Sequence, residues 1–170
     1  IAEKYNDAIM VCLNDGADFL LTVEDDTFPP PDALHRMLAF LRATTGKVIV
    51  GAWYPKRSLP IEGAPIMVTN AHRTALPADG LLHPVYTLPM GCTLFPASVF
   101  LETTHPWFVT TECLTQDSFF SQKARDAGWT LLCDTSIQCR HIDRTTGLCY
   151  TADGILAPAL QNDNHHEVTP

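Results

Sequence analysis

The segment Phe19-Leu20-Leu21-Thr22-Val23-Glu24-Asp25-Asp26-Thr27-Phe28-Pro29-Pro30-Pro31 constrains this chain more than any other stretch. A short apolar run ends in consecutive carboxylates, and a run of prolines then stops any continuation. An apolar run of this length bounded by turn signals predicts a buried strand, central in a parallel sheet. Neighbouring carboxylates at its end repel one another unless a cation or a donor-rich ligand sits among them. Open α/β sheets bind ligands at the carboxyl ends of their strands. The cluster therefore reads either as a site for a hard divalent metal, which shares carboxylate oxygens with substrate phosphates, or as a solvated acidic turn.

The surrounding pattern alternates between helix and strand. Ile1, Tyr5, Ala8, Ile9, Cys12 and Leu13 recur at helical spacing, with Gly16 placed to end that helix. Asp32 is a candidate cap for a helix carrying Leu34, Met37, Leu38 and Leu41 on one face, ending near Gly46. Val48-Ile49-Val50 reads as another buried strand, and the alternation predicts an α/β sheet. From Gly51 to about Pro89 the pattern weakens into long loops with short strands. Tyr86 to Phe95 reads as extended, with Gly91 marking a close approach of backbone or ligand. Thr115 is a candidate cap for a helix over Gln116 to Ala127, stopped by Gly128. Thr130 to Cys133 and Ser136 to His141 read as the last strands. Beyond Gly147 the signals are weakly helical and end in a polar stretch. These features predict a domain over residues 1–150 and a tail over 151–170.

The length of 170 residues fits one domain with a sizeable core. The apolar runs are too short to cross a bilayer. A net charge of −8 disfavours non-specific binding to a nucleic-acid backbone. The cysteines form no CxxC pair, and Cys133, Cys139, His141 and Cys149 match no common zinc spacing. Buried free thiols in a reducing, cytoplasmic compartment are the expectation.

Two further constellations carry chemistry. In Thr115-Gln116-Asp117 a carboxylate sits in the first turn of a helix, where exposed amides and the dipole favour its anion. It is either a favourable first-turn acid or a general base for an attacking hydroxyl. In Cys139-Arg140-His141 an imidazole ends a strand, as an ordinary hydrogen-bonded residue or as a ligand beside the carboxylates. A mixed carboxylate and imidazole set suits manganese better than calcium.

At these residues the chain resembles a known family. Val23-Glu24-Asp25-Asp26, followed by prolines and an amphipathic helix, is similar to the DxD region of glycosyltransferases of the GT-A fold, family 2-like. Thr115-Gln116-Asp117 and the helix after it resemble the family's TED/ED segment. Asp134 to His141 is similar to the strand that delivers a metal-binding histidine in many members. Gln116 stands where the family usually has Glu. The chain also starts inside the helix before the DxD strand, so the first βα unit that grips the nucleotide is expected to be missing. An unpaired edge at that strand would then favour self-association, with an apolar patch near Leu21 and Val23.

The resemblance implies a Rossmann-like, mostly parallel mixed sheet flanked by helices. It implies an enzyme that moves a sugar from a UDP- or GDP-sugar to a hydroxyl of a glycan, lipid or protein, with inversion or with retention. Glu24, Asp26 and His141 would hold Mn2+ or Mg2+, Asp25 would reach the ribose, and Asp117 would be the base. Trp53, Tyr54, Trp107 and Trp129 would either stack on sugars or pack in the core. Lys56 and Arg57 would touch phosphates or stand as solvated charges. The rivals are a metal-dependent phosphate-transfer or hydrolysis enzyme and a non-catalytic sugar- or nucleotide-binding module.

Overall fold

A computed structural model describes residues 1–69 and 72–156. The chain runs α1 (Ala2–Asn14), β1 (Phe19–Val23), β2 (Thr27–Phe28), α2 (Ala33–Ala43), β3 (Val48–Trp53), β4 (Ile66–Thr69), β5 (His72–Ala75) and β6 (Leu82–Pro84). It continues through β7 (Cys92–Pro96), α3 (Ser98–Glu102), α4 (Gln116–Asp126), β8 (Thr130–Gln138), β9 (Arg140–Ile142), β10 (Cys149–Thr151) and β11 (Gly154–Leu156).

The main sheet has five strands in the order β1-β7-β3-β8-β6. Among the described residues only β3 and β8 pair in parallel; β1 with β7, β3 with β7 and β6 with β8 are antiparallel. The protein is thus mixed α/β, and the mostly parallel sheet expected from the sequence is not what forms. β1 lies at the edge rather than the centre, with Val23 46% exposed. An apolar run cannot distinguish these positions, because α1 covers an edge strand much as a second strand would. The central position belongs to β3, which is buried along its whole length.

Alternation along the strands feeds two cores. Val48, Val50 and Leu94 pack with Met37 and Leu41 of α2. Ile49, Phe95 and Leu131 point the other way, into a cluster with Ile9 of α1 and Phe120 of α4. Gly16 and Gly128, with φ of 67° and 85°, end the turns after α1 and α4 in the left-handed region that favours glycine. Neither Asp32 nor Thr115 makes a side-chain capping bond, although both stand at the expected helix starts.

A second, antiparallel sheet has the order β11-β10-β9-β2. The stretch read as two strands is one long strand, β8, which passes directly into β9. Cys139 N–H donates to the Trp53 carbonyl at 2.8 Å as the chain crosses from one sheet to the other. The region after Gly147, read as weakly helical, forms the β10–β11 hairpin as far as Leu156. The remainder of the expected tail, residues 157–170, lies outside the described residues. Among the described residues no helix is long and apolar enough to cross a membrane.

Candidate functional site

The two-residue strand β2 builds the site. It follows the acidic triplet at once and pairs with β9, placing Thr27 opposite His141. Ile142 N–H donates to the Asp26 carbonyl at 2.8 Å. Asp26 and His141, 115 positions apart in the chain (141 − 26), are thereby neighbours, and His141 Nε2 stands 3.5 Å from Asp26 Oδ2. His141 Nδ1 lies 2.7 Å from the Pro55 carbonyl. A carbonyl only accepts, so Nδ1 carries a hydrogen, and Nε2 is the ring nitrogen turned toward Asp26. Tyr54 meets the imidazole edge-on, with ring centroids 5.2 Å apart. The Tyr54 hydroxyl accepts Gly91 N–H at 3.0 Å. Gly91 is a close-approach position, although what approaches is the Tyr54 side chain rather than backbone or ligand: a Cβ there would press into that ring.

Each carboxylate of the triplet has its own partner. Tyr5 Oη donates to Glu24 Oε1 at 2.9 Å. Arg144 Nη1 donates to Asp25 Oδ2 at 2.7 Å, on the exposed side. Arg57 Nη1 donates to Asp26 Oδ2 at 2.7 Å. Burial raises the Glu24 carboxyl above its usual range; the Tyr5 hydrogen bond opposes that, and the charges of Asp26 and Asp117 add to it. Burial and the Glu24 charge together push the Tyr5 phenol far up, so it stays a donor.

Asp117 lies in the first turn of α4, half-buried. It accepts from the Thr115 hydroxyl and from Ser118 N–H. Its charge adds to the upward shifts of Glu24, Tyr5 and Tyr54. A cleft of about 640 Å³ runs along the open edge of β1, between Lys4, Tyr5 and Ala8 of α1 and Glu24, Asp26 and Arg57. The tryptophans are not free to stack on a ligand. Trp53, Trp107 and Trp129 are buried, and their indole N–H groups donate to Leu76, Phe100 and Glu102 respectively.

Among the described residues, no three His, Cys, Asp or Glu side chains are gathered closely enough to hold a metal by themselves. The structure brings Asp26 and His141 together and directs Glu24 to Tyr5. A fit to a divalent ion remains at Asp26 and His141, for two reasons. Nε2 of the imidazole faces a carboxylate, and beside them Thr27 Oγ1 is buried with no hydrogen-bond partner among the described residues. Mg2+-type sites typically take one or two carboxylates and complete their shell from water and substrate phosphates. Sequence reasoning missed Arg144 and the role of Tyr5; tyrosine at a helical core period carries no mark of a carboxylate partner.

No family model matches the chain, and no curated protein matches it. Among solved structures it is similar to A197 from STIV, with a TM-score of 0.71 and 15% identity over 93% of this chain and 75% of that chain. At that identity the likeness concerns the fold alone. The expected membership among GT-A, family 2-like glycosyltransferases, with a missing first βα unit, is therefore withdrawn. The likeness found is to A197, and the main sheet is a five-stranded mixed one with a single parallel pair.

Proposed function

We propose that this chain transfers a glycosyl group from a nucleotide-diphosphate sugar to an acceptor hydroxyl, with help from a divalent cation. The observation that carries this reading is the meeting of Asp26 with Nε2 of His141, beside a cleft of about 640 Å³. Asp26 and His141 would hold Mn2+ or Mg2+, with Glu24 on its waters; the ion, when bound, neutralises the departing diphosphate. Asp25 would reach the ribose by leaving Arg144. Asp117 would accept the proton of the acceptor hydroxyl as its oxygen bonds to the anomeric carbon and the bond to the diphosphate breaks. Attack from the face opposite the diphosphate gives inversion. The reaction would run in a reducing, cytoplasmic setting, which the free cysteines suit.

The test is a donor screen with UDP- and GDP-sugars, reading both transfer and donor hydrolysis, together with thermal melting under Mn2+. A ligand bound only by the folded state raises the melting temperature, and Asp26→Ala should abolish the rise. A full rise in that variant would remove Asp26 from the site. A second reading, a non-catalytic nucleotide- or sugar-binding module, is favoured by the arginines that already neutralise Asp25 and Asp26. Donor binding without turnover would decide for it.

A further inference from the structure

Arg57 and His141 converge on a single oxygen. Asp26 Oδ2 accepts from Arg57 at 2.7 Å and stands 3.5 Å from His141 Nε2. A guanidinium in that place is a tethered monovalent cation where the transferase reading puts a divalent one. Independently, Thr27 is 3% exposed, and its hydroxyl is buried without a partner among the described residues. Thr27 and His141 are directly opposed across the β2–β9 ladder, so their side chains share one face. A buried hydroxyl with no partner is costly, and this one lies on the same face as the imidazole.

The loop carrying Arg57 is fixed at its stem. Ala64 N–H donates to the Tyr54 carbonyl at 2.8 Å, Lys56 N–H donates to the Glu62 carbonyl at 2.7 Å, and the Lys56 and Glu62 side chains pair at 3.1 Å. The Pro55 carbonyl from the same stem orients His141. The backbone is held, while the Arg57 side chain is 43% exposed on the solvent side of Asp26. A guanidinium and a divalent ion cannot share one carboxylate oxygen without strong repulsion. Arginine's planar fork, however, matches phosphate as well as carboxylate.

We propose that Arg57 is an exchangeable cation: it neutralises Asp26 in the free protein and moves to the donor's diphosphate when a divalent ion takes Asp26, His141 and the Thr27 hydroxyl. The diphosphate part of this exchange rests on the transferase reading above. No bond is made or broken in the exchange; two cations trade anionic partners.

Calorimetric titration of the intact chain tests it with two probes, Mn2+ alone and inorganic pyrophosphate at saturating Mn2+. Arg57→Ala should bind Mn2+ about 3–10-fold more tightly, because a competing ion pair is gone. It should bind pyrophosphate about 10-fold more weakly, because a charge-assisted contact is lost. Arg57→Lys should stay near wild type for Mn2+, and Thr27→Val should weaken Mn2+ binding a few-fold. If Arg57→Ala melts early, Arg57→Gln carries the same comparison. Unchanged Mn2+ affinity without the arginine overturns the exchange, and so does unchanged pyrophosphate affinity or a failure of every form to bind Mn2+. Neither probe needs turnover. A protein showing the crossed affinities but converting no nucleotide sugar would sink the transferase reading and leave the exchange standing.

Discussion

The aromatic cluster under the main sheet and the acidic rim at its β1 end are built on opposite logics. In the cluster, Phe120 of α4 stacks on Phe108 at 4.7 Å and meets Phe95 of β7 edge-on at 5.6 Å, with Phe100 of α3 alongside. The burial those rings supply is not tied to particular atoms, and another apolar side chain of similar volume would retain most of it. At the rim, Glu24, Asp25 and Asp26 each take a different and specific partner: Tyr5, Arg144 and Arg57. Apolar surface is satisfied by any close neighbour, whereas neighbouring like charges are satisfied only by named atoms. The cluster should therefore govern stability and the rim should govern ligand binding.

The largest expected effect tests that division at Asp117, about one helical turn before Phe120 on α4. Asp117→Asn should lower transfer by about 10²–10⁴-fold as the loss of a general base, while melting and Mn2+ binding stay near wild type. Full activity would remove the base, and loss of donor binding would make Asp117 structural. Next, Phe120→Ala should cost about 3–5 kcal/mol in urea unfolding and leave Mn2+ affinity unchanged in the folded fraction. A change in affinity would show that the regions are not separable. Gly91→Ala should reach both, since its Cβ would press on the Tyr54 ring that packs against His141. Overpacking of this kind costs about 1–3 kcal/mol, and here weaker Mn2+ binding should accompany it.

The smallest effect concerns a charge outside the rim. Asp79 is lowered to about 2 by its hydrogen bonds with His83 and Thr135. An unfolded Asp titrates near about 3.9, so the folded form binds fewer protons between those values. The stabilisation is present above the unfolded pKa and disappears as pH falls toward 2. The stability gap between wild type and Asp79→Asn should close over that window in acid unfolding. A gap that persisted at the acid end would assign it to something other than this ionisation.

Much of the local structure was legible in the chain. β1 spans the predicted Phe19–Val23, and α4 begins at Gln116 before a glycine stop. What was not legible was pairing. The same apolar run suits a central parallel strand or an edge strand under a helix, and β1 is only half-buried over Phe19–Leu21. β6 was hidden for a different reason: Leu82–Pro84 is too short to show a period and mostly exposed, and it exists because β8 offers it an edge. At the site, the acidic triplet and His141 stood out as residue types. The carbonyl that sets the histidine's tautomer belongs to Pro55 and has no side-chain signature at all. Arg57 read as a phosphate contact or a solvated loop charge, since nothing local distinguishes either from an arginine that reaches Asp26.

One amide ties the ends of this arrangement together. Asn6 of α1 accepts from Trp107 and Phe108 N–H at 3.0 Å each and donates to the Phe108 carbonyl at 2.9 Å. A 13-residue helix is marginal by itself in water, so α1 leans on a segment some hundred positions downstream. Contacts of such separation carry the loop-closure entropy of a long intervening chain. We expect the helix that brings Tyr5 to Glu24 to lock late and to open early. In hydrogen exchange, the amides of Trp107, Phe108 and the first turns of α1 should open as one unit, and Glu24 should lose its phenol partner on that same clock.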